Sequence, residues 1–370
     1  MIKTTDLLRF LPRVFYSKGD PLQLIFFITS KCNLRCQHCF YLENLNQQTK
    51  NELSLKEIEK ISQSMGKLLW FSLTGGEPFL REDIVQIAEI FYRNNKFSLL
   101  TICTNGVLQD SIIQSVSEIC KKCKDAHLIV YVSLDGLEET HDLIRGAPGA
   151  FKKAVETIIE LKKLKKDFKN MNVATITTCN AKNQKEMKSL ALFLKDKIKP
   201  DSIAINLIRG KPRSGDLGEI DLKNYFDFIE IQKEGWATGD FSYFNLFGKF
   251  FLKRKELLQK KIISKIFNEN SYLIPCQAGN ISCIMNEIGD LYPCEILDKK
   301  IGNIRDVGYN FKKLWYSDRA EGIRRFIKDT NCYCTYECAI TTNILFNISQ
   351  LIKMFMVTSL PSRNVTPLDS

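Results

Sequence analysis

The chain has 370 residues, 44% hydrophobic and 26% charged, enough apolar surface for one large domain and a smaller one. Its net charge of +11 is spread along the chain, which suits a solvated basic surface or attraction to acidic partners or a membrane face. Thirteen Cys without a secretory leader point to metal ligation in a reducing compartment, and no apolar run offers a spanning helix. A cytoplasmic protein is expected, with peripheral membrane contact as the furthest departure from that.

Residues 1–20 read as a short helix broken near Pro12, followed by a turn at Gly19-Asp20-Pro21. Residues 22–29 form an apolar run rich in Ile and Phe, the pattern of a strand buried on both faces. Directly after it, Cys32, Cys36 and Cys39 have the spacing Cys-x3-Cys-x2-Cys. Three thiolates on one tight loop can hold three irons of a [4Fe–4S] cluster and leave the fourth open to a cofactor or substrate. Zinc held by the three Cys and His38 is a rival, weakened because His38 adjoins Cys39. A redox dithiol of Cys36 and Cys39 is another, and it leaves Cys32 unused.

Ser54, with Glu57 completing a capping box, predicts a helix start. A strand over 70–74 ends in Gly75-Gly76-Glu77, where glycines would let backbone amides approach a ligand and Glu77 supplies an acceptor for an ammonium group. Helices over 84–92, 111–122, 151–164 and 185–194 then alternate with strands over 99–104, 127–134, 173–178 and 203–208. Six strand–helix units in series imply a parallel sheet with right-handed crossovers, with ligand groups at the strand C-terminal ends. Pro212, Ser214, Gly215, Asp216 and Gly218 mark a boundary. Residues 222–268 read as two helices; the second, over 243–267, interleaves Phe244, Phe247, Phe250, Phe251 and Ile262 with Lys and Arg. Such a helix either packs its aromatic side on the sheet or docks on a membrane.

Cys276, Cys283, Cys294, Cys332, Cys334 and Cys338 form a second group. Gly289 lies between short strands over 281–285 and 290–292, a hairpin expected to bring Cys283 and Cys294 together. Zinc is again a rival there. Cys103, Cys120, Cys123 and Cys179 read as buried or free thiols, and His127 as structural. Residues 341–357 are too apolar to be left in water and too short to span a bilayer, so they should form a packing or interfacial helix.

Four stretches occur in an order and spacing that resemble the radical S-adenosylmethionine (SAM) superfamily. They are the cysteine loop, Leu73-Thr74-Gly75-Gly76-Glu77-Pro78, Thr104-Asn105-Gly106, and Val132-Ser133-Leu134-Asp135-Gly136 running on to His141 and Arg145-Gly146. The resemblance covers about residues 20–340. It implies an α/β fold: a partial (β/α)6 radical SAM barrel over 20–210 and a small C-terminal α+β auxiliary-cluster domain of SPASM/twitch type over 273–340. Residues 1–19 would be an N-terminal extension, 211–272 a helical linker and 341–370 an apolar tail.

The same resemblance implies the site. Cys32, Cys36 and Cys39 would hold a SAM-binding [4Fe–4S] cluster; His38 and Phe40 would flank the adenine. Gly75, Gly76 and Glu77 would hold the methionine amino group, with Asn105 nearby at the third strand's end. Ser133 and Asp135 would face the ribose, and Arg145 the carboxylate. One auxiliary [4Fe–4S] cluster is implied, on Cys276, Cys294 and Cys338 with Cys334 or Cys283 as fourth ligand and Cys332 the least expected. The implied chemistry is reductive cleavage of SAM to a 5′-deoxyadenosyl radical that abstracts a substrate hydrogen, the auxiliary cluster accepting the remaining electron. A flavodoxin or ferredoxin would be the reductant, and a peptide or small molecule the substrate. The short segment before Leu22 weighs against a peptide. A lipid-linked substrate and a non-catalytic iron–sulfur electron carrier are the alternatives; no nucleic-acid recognition module is visible.

Overall fold

The computed structural model describes residues 12–15, 18–47, 49–210, 217–238 and 246–357. After a helical turn at Pro12–Phe15, the first half alternates strands and helices. In order these are β1 (Gln23–Thr29), α1 (Leu55–Ser64), β2 (Trp70–Gly75), α2 (Ile84–Asn95), β3 (Leu99–Thr104), α3 (Gln109–Lys122) and β4 (His127–Ser133). Then come α4 (Glu138–Arg145), α5 (Ala150–Leu164), β5 (Met171–Cys179), α6 (Met187–Phe193) and β6 (Ser202–Leu207). The second half holds α7 (Leu222–Thr238), α8 (Leu246–Glu269), β7 (Ser282–Met285), β8 (Asp290–Tyr292) and β9 (Gly302–Asn303). It ends with α9 (Phe311–Trp315), α10 (Asp318–Asp329), α11 (Glu337–Leu345) and α12 (Ile348–Met356).

The strands form one open sheet in the order β6-β5-β4-β3-β2-β1-β7-β8-β9. From β1 to β6 every neighbouring pair is parallel, as the alternation with crossover helices requires. The hairpin of the second cysteine group is not a detached layer. β7 runs parallel to β1 with Leu24 opposite Cys283, and β8 returns antiparallel to β7. It thereby covers what would be an open edge of β1, and β1 is buried at every position.

Alternation along the strands gives the sheet two different faces. Leu24, Phe26, Ile28, Phe71, Leu73, Leu100, Ile102, Val130, Val132, Ile203 and Ile205 belong to the main core shared with the helices. Ile25 and Phe27 point the other way and pack with Tyr41, Leu45 and Ile284, against Cys32, Cys39 and Phe40. The cysteine loop therefore lies on the face opposite the main core. That side is partly polar: Trp70 Nε1 donates to Thr101 Oγ1 at 2.9 Å, and Ser72 Oγ is 2.7 Å from the same oxygen.

Several expected boundaries shift for visible reasons. β5 starts at Met171, earlier than its apolar run, because buried Asn172 pairs with the His127 ring of β4 at 2.8 Å. α4 escapes hydrophobic periodicity because its buried side carries His141 and Arg145 beside Ile144. The basic aromatic helix runs Leu246–Glu269 and buries Leu258, Ile262, Ile263 and Ile266; Phe244 lies outside the described residues. The apolar stretch 341–357 lies in two helices, α11 and α12, divided where the Asn347 side chain caps α12 by accepting from Gln350 N–H; residues 358–370 lie outside the described residues.

α1 is tied to the far end of the sheet through one carboxylate. Glu57 closes the capping box with Ser54, and its Oε1 accepts from Arg305 Nε at 2.8 Å and Tyr309 Oη at 2.9 Å. The Arg305 hydrogen bond, reinforced by Ser54 and Tyr309 against the opposing effect of burial, holds this carboxyl down at about 2. A depressed value means its contribution is present above the unfolded carboxylate range and lost as pH falls from about 4.3 toward 2. Glu57→Gln should therefore cost about 1–2 kcal/mol at neutral pH and much less near pH 3. Urea midpoints of both proteins at the two pH values provide the check; an equal difference at both would contradict it.

Candidate functional site

The site is built where β1, β2, β3 and β4 end. Thr29 Oγ1 donates to Glu52 Oε1 at 2.6 Å and Ser30 N–H donates to the same oxygen at 3.0 Å, fixing the start of the cysteine loop. Gly76 N–H donates to Thr29 O and Glu77 N–H to Lys31 O, both at 2.8 Å. Gly75 has φ of +124°, and a Cβ on Gly76 would lie 2.1 Å from Lys31 O. The two glycines let the loop backbone, rather than a ligand, come this close, and the Gly76 amide is already engaged there. That corrects the expected ligand-facing amide and gives the glycines a different reason to exist.

Glu77 is buried, and its side chain is held from several directions. Oε1 accepts from Thr104 Oγ1 at 2.8 Å and Phe79 N–H at 3.3 Å, and Oε2 from Asn105 N–H at 2.7 Å. Burial nevertheless pushes its carboxyl up to about 7, against the lowering effect of those bonds. Asn105 in turn donates from Nδ2 to Asn33 Oδ1 at 2.8 Å, so the third strand end is stitched to the cysteine loop.

Opposite them lies a buried charge cluster. Asp135 Oδ1 accepts from Thr178 N–H at 2.8 Å. Its Oδ2 is 2.5 Å from Arg145 Nη2 and 3.7 Å from His38 Nε2. The Arg145 contact is an ion pair by distance but lies off a hydrogen-bonding direction, so Oδ2 has no aligned donor. Burial alone would raise the Asp135 carboxyl, but Arg145, then His38 and His141, hold it below its ordinary value. His38 is driven down to about 4 by burial and is neutral at pH 7; its Nδ1 has no hydrogen-bond partner. Arg145 Nη1 also lies 3.6 Å from Cys36 Sγ. Ser133 closes β4 at a half-buried position.

The thiols Cys32 and Cys39 are raised to about 11, first by burial and then, among other effects, by the nearness of Cys36. Among the described residues no three His, Cys, Asp or Glu converge on a single ion, and His38 faces Asp135. Three thiols on one loop, with the imidazole of His38 turned to Asp135 instead of joining them, suit an iron–sulfur cluster better than one zinc. The unpaired buried atoms His38 Nδ1 and Asp135 Oδ2, beside a carboxylate at Glu77, fit a polar nucleoside with an ammonium group.

The second group gathers differently from the expected set. Burial raises Cys276 and Cys334 to about 12; Cys276 is further raised by Cys334, Cys332 and Cys294, and Cys334 by Cys294 and Cys332. Cys294 is raised by burial and by Cys332. Cys276, Cys294, Cys332 and Cys334 are therefore one group of electrostatic neighbours. Cys283 does not join it, because strand alternation turns its side chain into the main core, where Sγ donates to Gln23 O at 3.8 Å. Cys338 stands in the first turn of α11 instead, where Glu295, Arg209 and Tyr336 are its chief electrostatic neighbours and Cys103 is influenced by it. Sequence reasoning missed Arg209 and, although it singled out their stretches, gave no role to Asn33 and Thr104; the position of Arg209 just beyond β6, at a strand C-terminal end, was the available signal.

Residues 26–194 match the profile of the Radical SAM superfamily. A 145-residue stretch is 37% identical to Fe-coproporphyrin III synthase of Methanosarcina barkeri, covering 38% of this chain but only 34% of that protein. Over 314 residues the chain is 28% identical to AdoMet-dependent heme synthase of the same organism, covering 80% of this chain and 82% of the relative. Its fold matches that of Streptococcus suis SuiB bound to precursor peptide SuiA, with a TM-score of 0.58 at 17% identity, over 96% of this chain and 77% of that one.

Breaking the Asp135–Arg145 pair should be costly whatever the site binds. Asp135→Asn leaves a buried guanidinium without its counter-charge, a loss of about 3–5 kcal/mol. Denaturant unfolding measures it, and the double variant Asp135→Asn/Arg145→Met should recover part of the loss. A cost below about 1 kcal/mol would mean the pair is solvated like a surface bridge.

Proposed function

We propose that this radical SAM protein, with its SPASM/twitch-like auxiliary region, oxidatively modifies a small molecule or a peptide. Bound SAM and its cluster would supply reductive carbon–sulfur cleavage and a 5′-deoxyadenosyl radical that takes a hydrogen from the substrate. The observation that supports the reading is a loop of three thiols, Cys32 and Cys39 packed beside Ile25 and Phe27 and Cys36 beside Arg145, with the buried acceptors Glu77 and Asp135 near them.

Each residue has a distinct task in this reading. Cys32, Cys36 and Cys39 hold the SAM-binding cluster, and Arg145 beside Cys36 Sγ steadies thiolate charge while facing the SAM carboxylate. Glu77 binds the amino group, held in one rotamer by Thr104 and the Asn105 amide. Asp135 Oδ2 and Ser133 receive the ribose, and neutral His38 with Phe40 borders the adenine. Cys276, Cys294, Cys332 and Cys334 hold the auxiliary cluster that accepts the second electron. A small electron-transfer protein supplies the first. The catalytic core is residues 20–210 and the auxiliary region 273–340.

The relatives named above are associated with haem biosynthesis and, for SuiB, with a precursor peptide, which supports either substrate class. Exposed Ile348, Ile352, Phe355 and Met356 on α12 favour a lipid-facing contact as a secondary reading, since they are stacked on one side of a helix with only Lys353 charged.

Anaerobic reconstitution should yield about eight irons per chain, two clusters of four. Alanine at Cys32, Cys36 and Cys39 together should remove one cluster. Cys332→Ala should impair the other, whereas Cys283→Ala and Cys338→Ala should retain it. Iron analysis and electron paramagnetic resonance distinguish these; retention of the auxiliary signal in Cys332→Ala with loss in Cys338→Ala would reverse the ligand assignment.

Glu77 gives a pH signature. With its carboxyl at about 7 in the SAM-free protein, the neutral form prevails below that pH and cannot attract an ammonium group. SAM affinity should fall about tenfold per pH unit below 7 and level off above it. Glu77→Gln should bind SAM about 10- to 100-fold more weakly, from losing a charge-assisted bond of roughly 1.5–3 kcal/mol, and should flatten this profile. Calorimetric titration across pH 5.5–8.5 tests both; wild-type affinity in the variant would show that Glu77 is not the ammonium site.

A further inference from the structure

Three segments that carry cysteines of the two groups converge on a single guanidinium. Arg209 stands just past β6, and its guanidinium carbon is 4.7 Å from the ring centre of Phe40 and 3.9 Å from that of Tyr336. Its Nη2 is 2.9 Å from Glu295 Oε2. Phe40 follows Cys39, Glu295 follows Cys294, and Tyr336 lies between Cys334 and Cys338. The contact with Glu295 has ion-pair distance without hydrogen-bond alignment, so the attraction is one of charge. Gly210, with φ of +69°, turns the chain away so closely that a Cβ there would lie 3.0 Å from Phe40 Cβ.

Packing alone is a poor account of this arrangement. The Arg209 side chain is 19% exposed and that of Glu295 3%, so both charges are largely withdrawn from water. An apolar side chain would fill the gap between two rings at less desolvation cost. A planar guanidinium can stack on both rings at once and carry a charge into the space between them, which a lysine cannot do.

We propose that Arg209 is a positioning residue that clamps the two cysteine loops at a fixed separation and sets, through its charge, the potential of the auxiliary cluster. This rests on the reading that both cysteine groups hold clusters. A cation between the loops favours the reduced, more negative state of a nearby cluster, and Glu295 partly cancels it. The two side chains should therefore shift the potential in opposite directions when neutralised.

The test uses full-length protein reconstituted anaerobically, followed by iron analysis and potentiometric titration monitored by electron paramagnetic resonance. If the wild type holds only one cluster, the functional reading above fails. With both clusters present, Arg209→Gln should lower the auxiliary midpoint potential and weaken the magnetic interaction between the reduced clusters. Arg209→Lys should restore the potential but not the interaction, because charge is kept and stacking lost. Glu295→Gln should raise the potential. Two-cluster Arg209→Gln and Glu295→Gln proteins with wild-type potentials and interaction would overturn the inference. If Arg209→Gln fails to load the second cluster, Glu295→Gln decides alone: an upward shift supports the inference and a wild-type potential overturns it.

Discussion

Two stretches of backbone in direct contact, Thr29 to Lys31 after β1 and Gly75 to Glu77 after β2, set the geometry of the whole site. Lys31 O and Thr29 O accept from the amides of Glu77 and Gly76, and no Cβ fits at Gly76 without displacing the loop. Because the loop is pinned there, Cys32 and Cys39 come to rest against Ile25 and Phe27. The same contact turns Glu77 inward, where Thr104 and Asn105 from the neighbouring strand fix its carboxylate. A side chain at either glycine would shift the thiol loop and the carboxylate together. Metal binding and ligand binding are thus coupled through main-chain packing before any cofactor is considered.

The second constraint is charge in a dry place. Asp135, Arg145, His38 and His141 meet where β4 ends, and burial disfavours the charged form of each of them. The imidazoles respond by staying neutral, whereas the carboxylate and guanidinium remain ionised by facing each other. What survives is one ion pair with an unaligned carboxylate oxygen and a neutral ring nitrogen, both available to a polar ligand. In the proposed function, such an arrangement would receive a nucleoside without having to strip a second charge of its water.

Much of this was legible in the sequence because it is local. Apolar runs located six parallel strands, Ser54 and Glu57 announced α1, and the cysteine spacing marked the loop. What depended on distant partners was not legible. Cys283 and Cys294 lie on one hairpin, yet the two-residue period of β7 sends Cys283 into the core, and Cys332, from beyond α10, completes the group instead. α4 was hidden because its inward face carries His141 and Arg145, whose burial only makes sense once Asp135 is beside them. The merger of the hairpin into the main sheet was also invisible, since no local pattern says that β7 will lie against β1.

That merger brings two cysteine groups far apart in sequence onto one sheet. β1 is paired with β2 on one side and β7 on the other, so the loop that follows it and the hairpin beside it share a single sheet. Tyr41, two residues past Cys39, is hydrogen-bonded to Glu287 in the hairpin turn, and Leu53 N–H donates to Glu287 O at 2.7 Å. On the opposite rim, Lys260 Nζ donates to Ile205 O at 3.2 Å, and Glu337 accepts from Leu207 N–H at 3.0 Å, so α8 and α11 are locked to β6. The segment carrying Cys332 and Cys334 runs directly into α11 and is held by that lock. Both loops are therefore anchored to one rigid body from two sides, with Arg209 spanning the gap between them. Electron transfer between fixed centres needs a constant separation and little reorganisation, and a single sheet supplies that more simply than two domains joined by a hinge.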